Sequence, residues 1–322
     1  MVKIWKIIWM AIWGVGAGMG KLFAGMGQGR KGGPQAALNA RQAQMLAAAR
    51  RGNVEAQIRL ATAYSDGVGM TQDYGEAAHW FGEAARQDHA GAQFSFGICH
   101  ANGQGTAQDY QEAVHWFRLS ANQGNSGAQV SLGLCLQKGL GAPSNQKEAA
   151  QWFRRAAESG DAAGQVSLAA ALQSGRGVAK NEVEAADWFR KAAAQGLAEA
   201  EFNLGKCHQD GLGVAMDENE AFQCFRRAAD KGLPQAEFEV GLCFYRGRGT
   251  PLDLVQAYIW ISLAAQRAVP AAIGVRDELK EELTAAQLAE SDRRVAELAL
   301  NRPKIAVAAP DMNDELRGPN EE

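Results

Sequence analysis

The sequence predicts an all-α protein: an α/α superhelical solenoid of six 36-residue helix-turn-helix repeats with helical caps, plus an N-terminal hydrophobic helix. Three observations carry this. The pattern G-x-G-x-x-x-D-x-x-x-A-x-x-W returns every 36 residues, with Asn for Asp in two copies. Each copy divides into two stretches of helical periodicity joined by a glycine-rich turn. No single pair of such helices can hide its apolar face, so pairs must stack on one another.

The repeats start at Ala56, Ala92, Ala128, Gly164, Ala200 and Ala236, and positions below are counted from zero at these origins. In the first copy, helix A runs from about Ala56 to Asp66, with Ala56, Leu60, Ala61 and Tyr64 on its core face. Gly67 ends it, because glycine adopts the left-handed C-cap conformation cheaply. Asp73 caps helix B, and Glu76 three residues on completes the pattern of a capping box. The pair recurs as Asp109/Glu112, Asn145/Glu148, Asn181/Glu184, Asp217/Glu220 and Asp253/Gln256. Helix B buries Ala77, Trp80, Phe81 and Ala84 at helical spacing. Ala85, Ala121, Ala157, Ala193, Ala229 and Ala265 hold one position in all six copies, which lets neighbouring helix axes approach to about 8–10 Å.

The motif A-x-x-x-L-G-x-x-Y-x-x-G-x-G-x-x-x-D-x-x-x-A-x-x-W-x-x-x-A-A-x-x-G resembles the Sel-one-like repeat, a relative of the tetratricopeptide repeat, over about two-thirds of the chain. The resemblance implies a curved superhelix that binds protein partners, mostly without catalysis. Two positions depart from it. Cys224 replaces the helix B tryptophan in the fifth copy, and Ile261 replaces the following phenylalanine in the sixth; both are expected to be soft spots of packing.

Residues 35–55 read as an N-terminal capping helix, 56–271 as the six repeats, and 272–300 as C-terminal capping helices with Thr284 and Gln287 in a second capping box. The tail 301–322, with Pro303, Pro310 and Pro319 and no periodicity, is expected to be disordered.

No catalytic or metal-binding constellation emerges. Cys99, Cys135, Cys207 and Cys243 share position 7, where Ala63 and Ala171 stand in the other copies, so the slot is small and buried and the thiols are free. Repeat grammar also explains the paired His79/His115 and His100/His208. The turns such as Gly175-Arg176-Gly177 lack the Lys-Ser/Thr of a phosphate cradle. The expectation is no enzyme, no cofactor and no metal. With Lys+Arg 33 against Asp+Glu 36, a net charge of -3 offers no basic surface for nucleic acid.

A partner site is expected on helix A. At 100° per residue, positions 2, 6 and 9 fall opposite the core face, where they either pack against neighbouring repeats, position 2 above all, or line a concave groove. Positions 6 and 9 vary most, and Leu134, Gln137, Gln173, Lys206, Gln209, Leu242 and Tyr245 form the candidate groove for a protein or peptide.

Charge is uneven along the chain. Met1 to Val54 carries eight basic residues and no acid, so this arm is +8 and the remainder about -11 (-3 minus 8). Within residues 1–34, the stretch 4–26 has only Lys6 and Lys21 charged, a length that could span a bilayer. Trp5, Trp9 and Trp13 suit the membrane interface, and Gly14/Gly18 permit close helix contact. The basic flank favours an uncleaved anchor in a bacterial inner membrane, with the solenoid on the cytoplasmic side. A cleaved signal peptide ending at Val15-Gly16-Ala17, with a periplasmic solenoid, is the alternative. A third reading makes the segment oligomerising or membrane-perturbing, with the solenoid as its regulator. Trp116→Ala or Trp152→Ala is expected to cost roughly 3–5 kcal/mol in a urea titration.

Overall fold

In the computed structural model, the structure describes residues 34–301, all helix and connecting turn without a strand among them. The cap α1 (Pro34–Arg50) precedes the pairs α2 (Val54–Asp66) with α3 (Tyr74–Arg86), α4 (Ala90–Asn102) with α5 (Tyr110–Asn122), and α6 (Ser126–Lys138) with α7 (Gln146–Glu158). Then come α8 (Ala162–Ser174) with α9 (Glu182–Ala194), α10 (Ala198–Asp210) with α11 (Glu218–Asp230), and α12 (Pro234–Arg246) with α13 (Leu254–Gln266). The chain closes with α14 (Pro270–Glu282) and α15 (Ala285–Asn301). The fold is thus the six-repeat α/α solenoid with helical caps. The N-terminal hydrophobic segment with Trp5, Trp9, Trp13, Gly14 and Gly18, and the tail beyond residue 301, lie outside the described residues. No described helix is long and apolar enough to cross a membrane.

The described residues form two compact units. One runs to Ser167 and takes in Arg176–Val178; the other starts at Leu168 and comprises the rest. Each is packed by the same two contacts.

The first contact joins helix A to helix B of one repeat. Phe117, Phe153, Phe189 and Phe225, one per repeat, are the largest fully buried side chains of helix B. The rings of Phe117, Phe153 and Phe225 lie over position 5 of their own helix A, which is glycine in four copies of the repeat and alanine in two. A Cβ on Gly97, Gly133 or Gly205 would come within 2.7, 2.5 or 2.6 Å of the phenylalanine ring. Glycine is therefore required there for room, and alanine marks the limit of what the slot admits. In the sixth copy Ile261 fills the same notch against Gly241 and is fully buried, so the expected soft spot is well packed. The tryptophans lie nearer the surface: Trp152 is 6% exposed and Trp116 only half-buried. The larger loss on truncation therefore belongs to Trp152.

The second contact joins consecutive repeats through the G-x-G turn. Its first glycine takes φ near +69° at Gly139 and donates its N–H to the Cys135 carbonyl, closing α6 as expected. Its second glycine meets the preceding repeat. A Cβ on Gly141 would collide with the carbonyl of Tyr110 at the start of α5, and Gly213 and Gly249 face Glu182 and Glu218 in the same way. Backbone rests on backbone, and no side chain can be accommodated.

The capping residues are placed as expected, but the box is only half made. Asp73 accepts from the N–H groups of Gly75 and Glu76 at 2.8 and 3.1 Å. The return bond from Glu76 is absent, because the Asp73 N–H donates to the Tyr64 carbonyl at 2.9 Å. Freed from that role, the Glu76 carboxylate accepts from the indole N–H of Trp80 at 3.1 Å. Glu148 and Glu184 likewise hold Trp152 and Trp188, each at 3.3 Å. A reciprocal box forms at Thr284, whose N–H donates to Gln287 while its hydroxyl accepts from the Gln287 N–H.

At the C-terminus, α15 covers the last repeat: Val295 packs with Trp260 and Ile259, and Tyr258 donates to Asp292 at 3.0 Å. Its outer face carries Glu290 bridged to Arg293 and Arg294, whose guanidinium groups hold the Glu290 carboxyl down to about 2. That polar face ends the stack.

The two turn glycines should respond differently to alanine. Gly139→Ala adds only the left-handed backbone cost, about 1–2 kcal/mol. Gly141→Ala adds a clash with a main-chain carbonyl and should cost roughly 3 kcal/mol or more. Chemical denaturation of the two variants distinguishes them.

Candidate functional site

The seven helix A residues sit at half-buried positions. In the first unit, Leu134 and Gln137 lie on α6, and the Gln137 carbonyl accepts from Gln146 at 2.8 Å. In the second unit, Gln173 lies on α8, Lys206 and Gln209 on α10, and Leu242 and Tyr245 on α12. There they form links from each repeat to the next. The Gln173 amide points toward the Cys207 sulphur at 3.9 Å. Lys206 donates to Gln209 and pairs with Glu239 of α12 at 3.6 Å. Tyr245 donates to Glu282 of α14 at 3.3 Å, and the Glu282 charge raises the phenol above its ordinary range. In the second unit these residues are polar hooks with Leu242 among them, and none is a nucleophile beside a base.

Position 2 does not belong to this face. Phe94 meets Phe117 of its own helix B at 5.9 Å between ring centroids, and Phe202 meets Phe225 at 5.7 Å. Phe94 also lies under the start of α6, where a Cβ on Gly127 would touch its ring at 3.1 Å. The large ring reaches sideways from its helical position into the cleft between α5 and α6, so position 2 packs against the following repeat as expected but also touches its own helix B, from which it was expected to turn away.

The thiols are buried and free, as their shared slot implied. Burial pushes Cys99, Cys135 and Cys243 up to about 12, and Cys207 and Cys224 up to about 11, so none is a thiolate near neutrality. Among the described residues no group of three His, Cys, Asp or Glu side chains could hold a metal ion.

One column escaped the sequence reading. Position 1 of helix A is Gln57, Gln93, Gln129, Gln165, Glu201 and Glu237, and every one is buried. Each glutamine donates to the end of the preceding helix B; Gln57 reaches the Ala49 carbonyl at 3.1 Å and Gln129 the Ala121 carbonyl at 3.2 Å. Position 31 answers it from the end of the same repeat. Gln87 donates to Gln57 and Gln123 to Gln93, both at 2.8 Å. Where the column turns acidic, position 31 turns basic: Lys231 pairs with Glu201 at 3.0 Å and Arg267 with Glu237 at 3.8 Å. The same cations donate to the Gly196 and Gly232 carbonyls, replacing the helix-end bond that a carboxylate cannot give. The helix A caps change with them. Asn53, His89, Asn125 and Asp161 accept from the first turn, whereas Leu197 and Leu233 do not. The 36-residue recurrence of Gln, and its joint switch with position 31, was the available signal.

Comparison with known proteins agrees with this geometry. The Sel1 repeat family matches six consecutive segments, residues 54–89, 90–125, 126–161, 162–197, 198–233 and 234–269. The chain belongs to the Sel1 repeat family, whose members are generally protein–protein interaction scaffolds. The frame begins two residues before Ala56, at the first residue of α2. A Sel1 repeat protein from Oxalobacter formigenes is 31% identical, with a TM-score of 0.63 over 67% of this chain and 88% of its own. A protective antigen of uropathogenic Escherichia coli strains, displaying an SLR fold, is 29% identical, with a TM-score of 0.54 over 84% of this chain and 68% of its own. No curated protein matches the chain.

The Glu237–Arg267 pair should behave as a buried pair. Arg267→Gln alone should destabilise by about 3–5 kcal/mol, by leaving Glu237 without its cation. Combining Glu237→Gln with Arg267→Gln reproduces the amide pair of the early repeats and should recover most of that loss, as a double-mutant cycle in urea would show.

Proposed function

We propose that this protein is a membrane-tethered adaptor that binds a protein or peptide through the helix A stripe Leu134, Gln137, Gln173, Lys206, Gln209, Leu242 and Tyr245. The observation that carries the reading is the contrast between columns. Position 5 is always Gly or Ala and buried, and the phenylalanine position is nearly invariant, whereas the seven stripe residues are half-buried and position 6 changes among Thr, Ile, Leu, Ala and Lys from copy to copy. A surface built by repetition needs no such variety unless each copy meets something different. Lys206, Glu239 and the leucines offer a mixed polar and apolar seat, suited to an amphipathic helix or an extended peptide. The mechanism is recruitment, with no bond made or broken.

The tether is the segment 4–26 with its uninterrupted basic flank, which would also draw anionic headgroups at about 1 kcal/mol per cation near the surface. The solenoid then stands on the cytoplasmic side of a bacterial inner membrane. The alternative, export to the periplasm, draws on Lys3 and Lys6 ahead of an apolar run and on Val15-Gly16-Ala17. Intact mass separates a retained Met1 from a chain cut after Ala17, and reporter fusions after Arg51 give the side.

The stripe is tested by replacing its polar members. Gln137→Ala, Lys206→Ala, Gln209→Ala and Tyr245→Ala should each shift unfolding free energy by less than about 1 kcal/mol. Combined, they should abolish capture of partners found by proximity labelling of the intact chain. Unchanged capture, or a loss of stability matching the loss of capture, would remove these residues from the site.

A further inference from the structure

The fifth repeat contains a vacated tryptophan slot. In the other five copies an indole stands at position 24, as Trp80, Trp116, Trp152, Trp188 and Trp260; in the fifth it is Cys224. The groups that hold the indole elsewhere are all retained there. The first is the carboxylate at position 20, which accepts the indole N–H in the first, third and fourth copies. Its counterpart is Glu220, which meets the Cys224 thiol at 3.8 Å and the Arg227 guanidinium at 3.5 Å in place of an indole. The second is the cation at position 27. Arg155 lies 4.6 Å over the Trp152 ring and Lys191 lies 3.9 Å over Trp188. Its counterpart, Arg227, lies over the Cys224 sulphur at 3.0 Å. The third is the cation at position 26 of the preceding repeat, for Arg226 lies 4.6 Å over Trp260. Its counterpart is Arg190.

These groups surround an open cleft of about 450 Å³. Arg190, Glu220 and Arg227 line it with Ala193, Ala194 and Leu204, and with Glu201 and His208. Glu201 is 5% exposed, and its Oε2 has no hydrogen-bond donor. Nδ1 of His208 is also buried without one. A carboxylate acceptor and a cation over the ring are what Trp152 and Trp188 have in their own repeats, and this cleft offers the same carboxylate with two guanidinium groups.

We propose that this cleft receives a tryptophan side chain presented by a partner polypeptide, its N–H donating to Glu220 and its ring stacked by Arg190 and Arg227. The occupant is argued from the chain itself, which shows in three other repeats what the retained carboxylate and cations hold. None of the seven stripe residues lines the cleft, so the inference stands independently of the helix A stripe.

The probe is N-acetyl-L-tryptophanamide, titrated into the full chain and followed by amide shifts of Ala193 and Ala194. Saturable binding in the millimolar range is expected, about tenfold weaker in Glu220→Ala and lost in Cys224→Trp, whose own indole fills the cleft. Cys224→Trp should also unfold at a higher temperature than the native chain, and capture through the stripe should be unaffected. Absence of saturable shifts in the native chain would overturn the proposal, as would undiminished binding in a folded Cys224→Trp. Should that variant not fold, unchanged affinity in Glu220→Ala overturns it. Tighter binding of free L-tryptophan than of the capped amide would also overturn it, because a polypeptide side chain carries neither free terminus.

Discussion

The structure depends on the approach of two helices over a position that carries no more than a methyl group. Position 5 of helix A is glycine or alanine, and the aromatic or branched residue of helix B lies directly on it. This brings the helix axes close enough for the ring to be wholly excluded from water. Burial of one such ring contributes about 1.5–3 kcal/mol relative to exposure. Six copies of a modest contact hold the pairs together, and none of the pairs is independent of its neighbours. The tryptophans lie closer to the surface, and Trp152 and Trp188 are each held by a carboxylate and a cation.

Stacking needs a second device, and here the backbone supplies it. Where the turn of one repeat meets the first turn of the previous helix B, main chain meets main chain. A side chain of any size would separate the repeats, which accounts for the second glycine of the G-x-G turn in the five copies after the first. The buried polar column adds a third device. Helix ends leave carbonyl groups without partners, and burial makes them costly unless something donates to them. The glutamines of position 1 do so in the early repeats, and Lys231 and Arg267 do so in the last two. A change from glutamine to glutamate removes a donor and adds a buried charge. Both consequences are answered by one residue, the cation thirty positions later.

A frame so regular confines individuality to a few places. The phenylalanine notch, the turn glycines and the alanines of helix B leave no freedom, so what distinguishes one repeat from another collects at positions 6 and 9 and at the rare departures from the pattern. Cys224 is such a departure. It shortens one side chain while keeping the carboxylate and the cations that elsewhere surround the longer one, and Glu220, Arg227 and Arg190 line the cleft nearby. Family membership accounts for the frame; these departures are where a specific partner would be read.

The sequence by itself determined the period, the number of repeats, the helix ends at Gly67 and its equivalents, the capping role of Asp73 and its equivalents, and the buried state of the shared cysteines. Each of these is local, set within a turn or two of helix by periodicity, capping and residue size, so it can be read along the chain. The tertiary structure decided the rest. It put phenylalanine rather than tryptophan deepest, turned Phe94 onto Phe117, redirected Glu76 from its own helix cap to an indole, and placed position 31 against position 1. Except for Glu76 and Trp80, which are four apart and meet because Tyr64 has taken the cap N–H, those outcomes join residues twenty to thirty positions apart. Which of them touch depends on how closely two helices can approach, a distance set by the smallest residues in the contact, and no periodicity along a single helix records it.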